Sequence, residues 1–244
     1  MKLTKEQFKQ QTAEMTENTG IQLNENQLEK LYLYKELLVE WNEKINLTAI
    51  TDDEEIIAKH IVDSLEIVKY IKQGQRVIDV GTGAGLPGII IAIYFEGNVN
   101  ITLFDALNKR ILFLQQVIEK LGLTNVQAIH GRAEETSKDI NFRESYDIAV
   151  SRAVARLNIL LELTVPFVKV GGSCIYMKAD KTKEELDESK RAIKELELSL
   201  TSVNEYKIEM DDEQLNHTII TLSKLKSTKD KYPRQFAKIK KSPL

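Results

Sequence analysis

Apolar positions in the first third of the chain recur at helical spacing. From Asn24 onward they repeat every three or four residues and form one face of a helix: Leu28, Leu31, Tyr34, Leu38 and Trp41. Thr4, Asn24 and Thr51 each stand three residues before a Gln or Glu, which is the spacing of a capping box, and they predict three helix starts. Gly20 predicts the end of the first helix. Residues 1–71 are therefore expected to form a helical region.

From residue 76 the pattern changes to short apolar runs that alternate with amphipathic segments of helix length. The runs predict seven strands, at 77–80, 99–104, 126–129, 146–150, 172–177, 199–208 and 218–222. The segments near 86–95, 107–122, 156–168 and 181–197 predict helices. This alternation is typical of an α/β fold in which helices cover both faces of a parallel sheet.

The last two runs are separated only by the short acidic segment 209–216, which leaves no room for a helical crossover. The last strand should therefore pair antiparallel. We expect a Rossmann-like, seven-stranded core over residues 72–222, followed by a tail over residues 223–244.

Composition fits one globular domain with a modest extension, because 42% of the 244 residues are hydrophobic and 29% are charged. The richest apolar stretch, 86–95, stops at Glu96, well short of the roughly 20 residues of a membrane span. Since the first ten residues also turn polar at once, we expect a cytoplasmic protein with no membrane contact. A single cysteine, Cys174, excludes an internal disulfide, and three scattered histidines argue against a metal site.

Charge is distributed unevenly around a net value of −3. The formal charges of residues 1–55 sum to −6, those of residues 56–222 to −4 and those of residues 223–244 to +7. A basic tail on a near-neutral body suits an electrostatic contact with phosphates, but solvated basic ends are also common. Both interpretations of the tail remain open from charge alone.

A glycine loop, Gly81-Thr82-Gly83-Ala84-Gly85, follows the first predicted strand. Together with Gly88 it satisfies the dinucleotide pattern G-x-G-x-x-G, although an ordinary tight turn is an alternative. Asp79 should project a carboxylate at the strand end, where it would repel a pyrophosphate. A cationic ligand without phosphate, such as S-adenosylmethionine, fits better, and acid-x-Gly-x-Gly-x-Gly is the form seen in methyltransferases of this architecture.

Two further strand ends offer candidate ligand contacts. Asp105, between Phe104 and Ala106, stands where a carboxylate can accept hydrogen bonds from both hydroxyls of a ribose, although it could instead cap the next helix. Ala133 and Glu134 follow the third strand, at the place where an adenine edge is typically recognised. The alternative for this pair is a pair of surface residues at a helix start.

The segment after the fourth strand, Ser151-Arg152-Ala153-Val154-Ala155, limits the chemistry. It lacks the Asn or Asp, two prolines and aromatic residue that hold an exocyclic amine for methylation. Methylation at C5 of a pyrimidine needs a nucleophilic cysteine, whereas Cys174 lies in a strand-like run. An acceptor such as guanine N7, which carries a free lone pair, needs only alignment, so we predict no catalytic acid or base. Arg152 could contact ligand or RNA, or form a salt bridge that anchors the turn.

Several motifs in one order resemble the bacterial ribosomal RNA small subunit methyltransferase G family, also called glucose-inhibited division protein B. They are Tyr34-x-x-Leu37-Leu38-x-x-Trp41-Asn42-x-x-x-Asn46-Leu47-Thr48-Ala49-Ile50, His60-x-x-Asp63-Ser64-Leu65, the glycine loop, Lys109-Arg110-x-x-Phe113-Leu114, Arg132-Ala133-Glu134, Ser151-Arg152-Ala153-Val154-Ala155 and Tyr232-Pro233-Arg234. The resemblance implies a class I methyltransferase fold and transfer of a methyl group from S-adenosylmethionine to N7 of a guanine in 16S ribosomal RNA. It also implies cofactor contacts at Gly81, Leu86, Ala133, Glu134 and Arg152, joined by the Asp105 segment.

Two departures from the family pattern affect the site. Leu86 stands where the family usually has Phe, which replaces an aromatic cofactor contact with an aliphatic one. In the tail, Ala237 and Ile239 replace Gly and Pro. The tail interleaves aromatic residues with bases, and we expect RNA contacts from Arg234, Lys238, Lys240 and Lys241.

The expected partner is 16S ribosomal RNA or the small ribosomal subunit, and the expected oligomeric state is a monomer. Alternatives are a methyltransferase that acts on a small molecule or a protein, and a module that binds nucleosides or RNA without catalysis.

Overall fold

The computed structural model describes residues 2–179, 181–210 and 213–244. Its centre is a seven-stranded sheet with strand order β3-β2-β1-β4-β5-β7-β6. The strands are β1 Arg76–Val80, β2 Asn100–Asp105, β3 Val126–His130, β4 Tyr146–Arg152, β5 Val168–Lys178, β6 Leu198–Glu209 and β7 Gln214–Lys224. Strands β1 to β5 pair parallel, and β7 pairs antiparallel with both β5 and β6. The predicted α/β sheet and its reversed last strand are confirmed.

Helices precede, connect and follow the strands. They are α1 Lys5–Asn18, α2 Glu25–Ile45, α3 Asp53–Ile56, α4 Asp63–Leu65, α5 Gly88–Phe95, α6 Asn108–Lys120, α7 Ala133–Thr136, α8 Leu157–Thr164, α9 Thr182–Glu188, α10 Lys190–Glu195 and α11 Phe236–Lys241. A π-helical turn, Ile57–Val62, joins α3 to α4, and 3-10 turns cover Glu66–Tyr70 and Val165–Phe167. No helix in these described ranges is long and apolar enough to span a bilayer.

Local capping chemistry sets the N-terminal helices. Thr4 and Asn24 form complete capping boxes, as predicted, and Gly20 takes a positive φ of 78° just after α1. The prediction of a helix start at Thr51 was wrong by one residue. Asp52 is the N-cap of α3, because its carboxylate accepts hydrogen bonds from the Glu54 and Glu55 amides.

Three predicted elements have clearly different bounds in the structure, and one of them is β7, which begins at Gln214 rather than 218. Strand β5 begins at Val168 rather than 172, since residues 169–171 are exposed and broke the apolar pattern. The predicted helix at 181–197 is divided into α9 and α10 at Ser189, whose buried hydroxyl donates to the Glu185 carbonyl at 2.6 Å. Such a side-chain bond to the preceding turn competes with regular helix geometry.

The hydrophobic core lies in two clusters, one on each side of the sheet. The first joins α1, α2 and the π-helical turn to α5 and α6, for example through Phe8, Leu38 and Ile61. The second contains α8 and the C-terminal residues Tyr232 and Leu244. The N-terminal region and the tail therefore pack directly on the sheet domain. The expected boundary at residue 222 falls inside β7, so the strand continues two residues into the segment that we had expected to be tail.

Candidate functional site

The glycine loop lies at the carboxyl ends of β1 and β2. The Gly81 and Thr82 amides both donate to the Phe104 carbonyl, at 2.8 and 3.1 Å, which fixes the loop against β2. Gly81, Gly83 and Gly85 all have positive φ values, of 74°, 61° and 92°, so the backbone path favours glycine at each position.

The three glycines differ in what surrounds them. A Cβ at Gly85 would meet Ile89 at 2.4 Å, and one at Gly81 would meet the Val154 side chain at 2.6 Å. A Cβ at Gly83 would meet nothing closer than the Gly81 carbonyl oxygen at 3.9 Å. The loop is therefore packed on both sides and open at its centre, where a ligand can approach the backbone closely.

Asp79 is placed differently from our expectation. Its carboxylate is fully buried behind the loop, where Oδ2 accepts hydrogen bonds from Thr82 Oγ1 at 2.6 Å and from the Gly88 amide at 2.8 Å. Burial raises its pKa to about 6. The other oxygen, Oδ1, is buried and has no hydrogen-bond partner among the described residues. Asp79 therefore stabilises the loop from its buried side through Oδ2, while Oδ1 accepts no hydrogen bond from the described residues.

Asp105 joins three backbone and side-chain groups at the end of β2. Its Oδ2 accepts from the Gly83 amide at 3.0 Å and from Arg110 at 3.2 Å, and its Oδ1 accepts from the Leu107 amide at 2.9 Å. Only 3% of Asp105 is exposed. The carboxylate thus lies beside the open glycine, and it also organises the chain that leads into α6.

Leu86 and Phe104, both predicted as cofactor contacts, are buried. Their side chains belong to the two hydrophobic clusters, and their contact with a cofactor stays a prediction. Both support the loop from behind. Ala106 is exposed, and its carbonyl oxygen lies 3.1 Å from His130 Nε2.

The end of β3 leads directly into α7. Ala133 is half-buried there, and Glu134 is buried and accepts a hydrogen bond from Arg132 Nε at 2.6 Å. The Arg132 guanidinium also lies 5.4 Å from the ring centre of Phe236 in the tail. This contact brings the tail to the same edge of the sheet as the glycine loop.

Arg152, at the end of β4, is held by the helical segment before β1. It donates to the Lys59 carbonyl oxygen at 2.7 Å and to Asp63 Oδ2 at 2.8 Å, and it lies 3.4 Å from His60 Nδ1. Of the two roles considered for Arg152, the structure contains the anchoring salt bridge. The accepting carbonyl belongs to the π-helical turn, in which the Asp63 amide bonds to Ala58, five residues back.

Around Asp63 lies a polar cluster that sequence reasoning did not assemble. Asp63 Oδ1 accepts hydrogen bonds from Tyr206 at 2.6 Å and from His217 Nδ1 at 2.7 Å. Burial alone would raise the pKa of Asp63, but the hydrogen bond from His217 and the charge of Arg152 outweigh it and hold that pKa below its usual value. Burial and the same arginine lower the pKa of His60 to about 4. The only sequence signal was the His60-x-x-Asp63 motif.

A cavity of about 610 Å³ opens beside this cluster. Its lining includes Ile50, Val154, Met177 and Leu215 as apolar walls and His60, Asp63, Arg152 and His217 as polar groups. Val154 also covers Gly81, so the cavity adjoins the glycine loop. Cys174 lies inside β5 and is fully buried, which raises its pKa to about 11 and makes it a poor nucleophile.

The tail residues divide into anchors and exposed bases. Arg234 pairs with the fully buried Glu162, with its Nη2 2.6 Å from Oε2 and its amide 2.8 Å from Oε1. Its guanidinium is therefore committed within the protein, and we correct its expected role as an RNA contact. Lys238, Lys240 and Lys241 lie on α11 and are exposed, whereas Ile239 between them is buried.

Comparison with known proteins identifies the chain at the level of family. The sequence model of the family described as rRNA small subunit methyltransferase G matches residues 27–216. A ribosomal RNA small subunit methyltransferase G from Clostridium perfringens is 49% identical over 230 residues, which cover 93% of this chain and 95% of that protein. One from Alkaliphilus metalliredigens is 45% identical over 227 residues, which cover 92% and 94%.

Solved structures add the fold. A putative transferase from Pyrococcus horikoshii aligns with a TM-score of 0.53 at 19% identity, over 68% of this chain and 63% of that one. The YcgJ protein from Bacillus subtilis aligns with a TM-score of 0.51 at 14% identity, over 69% and 100%. With its sheet order and reversed last strand, the chain has the class I methyltransferase fold, and it belongs to the ribosomal RNA small subunit methyltransferase G family.

Proposed function

We propose that this protein transfers a methyl group from S-adenosylmethionine to N7 of a guanine in 16S ribosomal RNA. The observation that carries the proposal is the open backbone at Gly83, with the Asp105 carboxylate 3.0 Å from its amide, at the carboxyl ends of β1 and β2. In an open α/β sheet, ligands bind beyond the carboxyl ends of the strands at the point where the strand order reverses, and here it reverses between β1 and β4. Family membership over nearly the whole chain supplies the reaction class.

The residues present fit this cofactor. Gly83 offers an open position that a side chain would fill, and behind the loop the buried Asp79 carboxylate, with no hydrogen-bond partner for Oδ1 among the described residues, suits a ligand that carries positive charge. We assign the cofactor contacts to Gly81, Gly83, Asp105, Ala106, Ala133 and Glu134, with Asp79, Gly85, Leu86 and Phe104 shaping the loop behind them. When bound, S-adenosylmethionine supplies an electrophilic methyl group on a sulfonium.

The chain's own contribution is alignment. Guanine N7 has an in-plane lone pair and no proton, so the acceptor needs no general base. Asp105 fixes the glycine loop through Gly83, and Arg152 fixes the end of β4 through Asp63. These two contacts fix the glycine loop and the end of β4, between which we place the cofactor and the acceptor base.

The proposed partner is 16S ribosomal RNA within the small subunit. Lys238, Lys240 and Lys241 are exposed on α11, near the same sheet edge as the glycine loop, and suit phosphate contacts. Arg234 is excluded from this set, because Glu162 already neutralises it.

The proposal is tested with small subunits purified from cells that lack this protein. The subunits are incubated with the protein and methyl-labelled S-adenosylmethionine, and the modified nucleoside is mapped by mass spectrometry. One N7-methylguanosine in 16S RNA is the expected product.

Calorimetric titration with S-adenosylmethionine separates the alternatives. Cofactor binding without transfer to RNA would indicate a different acceptor or a binding module. Absence of cofactor binding would contradict the proposal at its first step.

A further inference from the structure

The cavity beside Arg152 has the surfaces that a flat heteroaromatic base requires. Its walls are aliphatic side chains from four separate segments, namely Ile50, Val154, Met177 and Leu215. Its polar groups form two sets, the cluster around Asp63 and His217 with Lys59 beside it, and the ion pair of Lys178 with Glu185 at 2.8 Å. Pockets for small planar ligands typically combine apolar walls with a few placed polar groups.

Among those polar groups, His217 has its neutral tautomer set by the hydrogen bond to Asp63. The Asp63 carboxylate is ionised and can only accept, so the hydrogen bond of 2.7 Å requires that His217 Nδ1 carries the proton. In the neutral ring, Nε2 is then an acceptor. It has no hydrogen-bond partner among the described residues, and 22% of the side chain is exposed.

The Asp63 oxygens and His60 Nε2 already have hydrogen-bond partners. Asp63 Oδ1 accepts hydrogen bonds from Tyr206 and His217, and Oδ2 accepts one from Arg152. His60 Nε2 is bonded to Thr48 at 2.9 Å. Within this cluster, His217 Nε2 is therefore the acceptor that an incoming donor can reach without breaking an existing bond.

We propose that this cavity receives the acceptor guanine and that His217 Nε2 accepts a hydrogen bond from its 2-amino group. The assignment rests on the proposed function. Guanine N7 and the 2-amino group lie at opposite ends of the purine, so a base whose N7 faces the glycine loop across Val154 turns its amine toward the far wall. Adenine has no 2-amino group, so this contact discriminates between the two purines. Asp63 acts as a positioning residue, because it fixes the tautomer of His217.

A second cavity, of about 770 Å³, adjoins the first at Ala179 and His217. Its lining includes Lys181, Lys183 and Lys207, and no aspartate and one glutamate, Glu205, from the described residues. This basic groove suits the phosphates next to a base inserted in the first cavity. It favours a nucleotide within an RNA strand over a free small molecule.

The test combines a change in the protein with a change in the substrate. 16S RNA is assembled by ligation with guanosine or inosine at the methylated position, and is reconstituted into small subunits. Inosine lacks only the 2-amino group. For the wild-type protein we expect kcat/KM to fall roughly 10- to 100-fold with inosine, as for loss of one buried hydrogen bond. For His217→Phe we expect a similar fall with guanosine and no further fall with inosine.

His217→Gln is the matched variant, since it restores an acceptor oxygen, and it should recover part of the guanosine preference. Melting temperatures of both variants check folding, and their affinity for S-adenosylmethionine should equal that of the wild type. A full guanosine preference in His217→Phe would overturn the pocket assignment. So would weakened cofactor binding, because the cavity would then belong to the cofactor. A wild-type protein that binds the cofactor but leaves both subunits unmethylated would overturn the proposed function, and this inference with it.

Discussion

The Gly83 amide donates to Asp105 Oδ2 at 3.0 Å, which links the open point of the glycine loop to the end of the neighbouring strand. The same carboxylate also accepts hydrogen bonds from the Leu107 amide and from the Arg110 guanidinium. One side chain therefore sets both the loop that should face the cofactor and the start of the helix beside it.

Replacing Asp105 with Ala should weaken cofactor binding by roughly 1–3 kcal/mol, because the ribose hydroxyls and the Gly83 amide lose an acceptor. Calorimetric titration with S-adenosylmethionine measures the loss. Asp105→Asn is the control, since its amide oxygen can still accept one of these bonds, and it should fall between Ala and wild type. Wild-type affinity in a folded Asp105→Ala variant would leave Asp105 with a purely structural role.

Gly83→Val should abolish cofactor binding, because a branched side chain would occupy the open face of the loop and would be strained at a φ of 61°. Gly122→Val is a matched control. Gly122 also has a positive φ, of 57°, and open surroundings, but it lies just beyond α6 and away from the loop. Both variants should lose stability of about 1–3 kcal/mol. If both bind the cofactor equally, the open face of Gly83 is not the binding surface.

Lys238, Lys240 and Lys241 should contribute to RNA binding without affecting the cofactor. Replacing all three with Ala removes exposed charges from α11, so fewer counterions are released when RNA binds. We expect weaker association with the small subunit and a flatter dependence of the binding constant on salt, measured between low and physiological ionic strength. A triple variant with the slope and methylation rate of the parent would direct the search to the basic groove near His217.

Arg234→Ala should instead destabilise the fold, because it leaves the buried Glu162 carboxylate without its partner. Breaking a buried ion pair from one side typically costs about 3–5 kcal/mol, whereas loss of the exposed α11 lysines should cost less than about 0.5 kcal/mol each. Urea unfolding of the two variants compares these costs. Equal stability would show that the tail is not anchored through this pair.

Ionisation of the buried Asp79 should destabilise the folded protein, and the loss of stability should increase as pH rises. Burial raises its pKa to about 6 in the folded protein, above its ordinary value of 3.8, so the folded state binds more protons between these values. The free energy of unfolding therefore loses a contribution on the order of 2–3 kcal/mol as pH rises from about 4 to 6.

The effect of Asp79 is measured as the difference in unfolding free energy between wild type and Asp79→Asn. His60, whose pKa is lowered to about 4, works in the opposite direction over the same range, so wild type is compared with Asp79→Asn at each pH. The neutral amide keeps an acceptor for Thr82 and Gly88. The stability of Asp79→Asn relative to wild type should rise across this interval, and a difference that is independent of pH would contradict the expectation.

The sequence predicted what depends on local pattern. Alternating apolar runs were enough for the sheet and its reversed last strand, and the glycine spacing was enough for the loop, because both follow from constraints on neighbouring residues. Side-chain direction at the loop was not predictable in the same way. Asp79 and Leu86 belong to the right motif, yet both face inward, since the motif specifies where the chain passes and not which atoms remain open.

The polar cluster around Asp63 could not be predicted from the sequence, for a different reason. Asp63 lies 89 residues from Arg152 and 154 residues from His217 in sequence, and only the packing of the helical region on the sheet brings them together. The same holds for Arg234, whose partner Glu162 is 72 residues away. A basic residue in a basic tail indicates RNA contact by composition, but its buried partner decides its role.

The π-helical turn at Ile57–Val62 accommodates one more residue than a regular α-helix would hold between the same two ends. Its wider winding leaves the Lys59 carbonyl oxygen to Arg152 and directs Asp63 at the same guanidinium. Wound as a regular α-helix, the same residues would rotate the chain after them by roughly 100°, and Asp63 would point away from Arg152 and His217. The direction of Asp63 therefore depends on the extra residue in this turn as much as on the identity of its side chain.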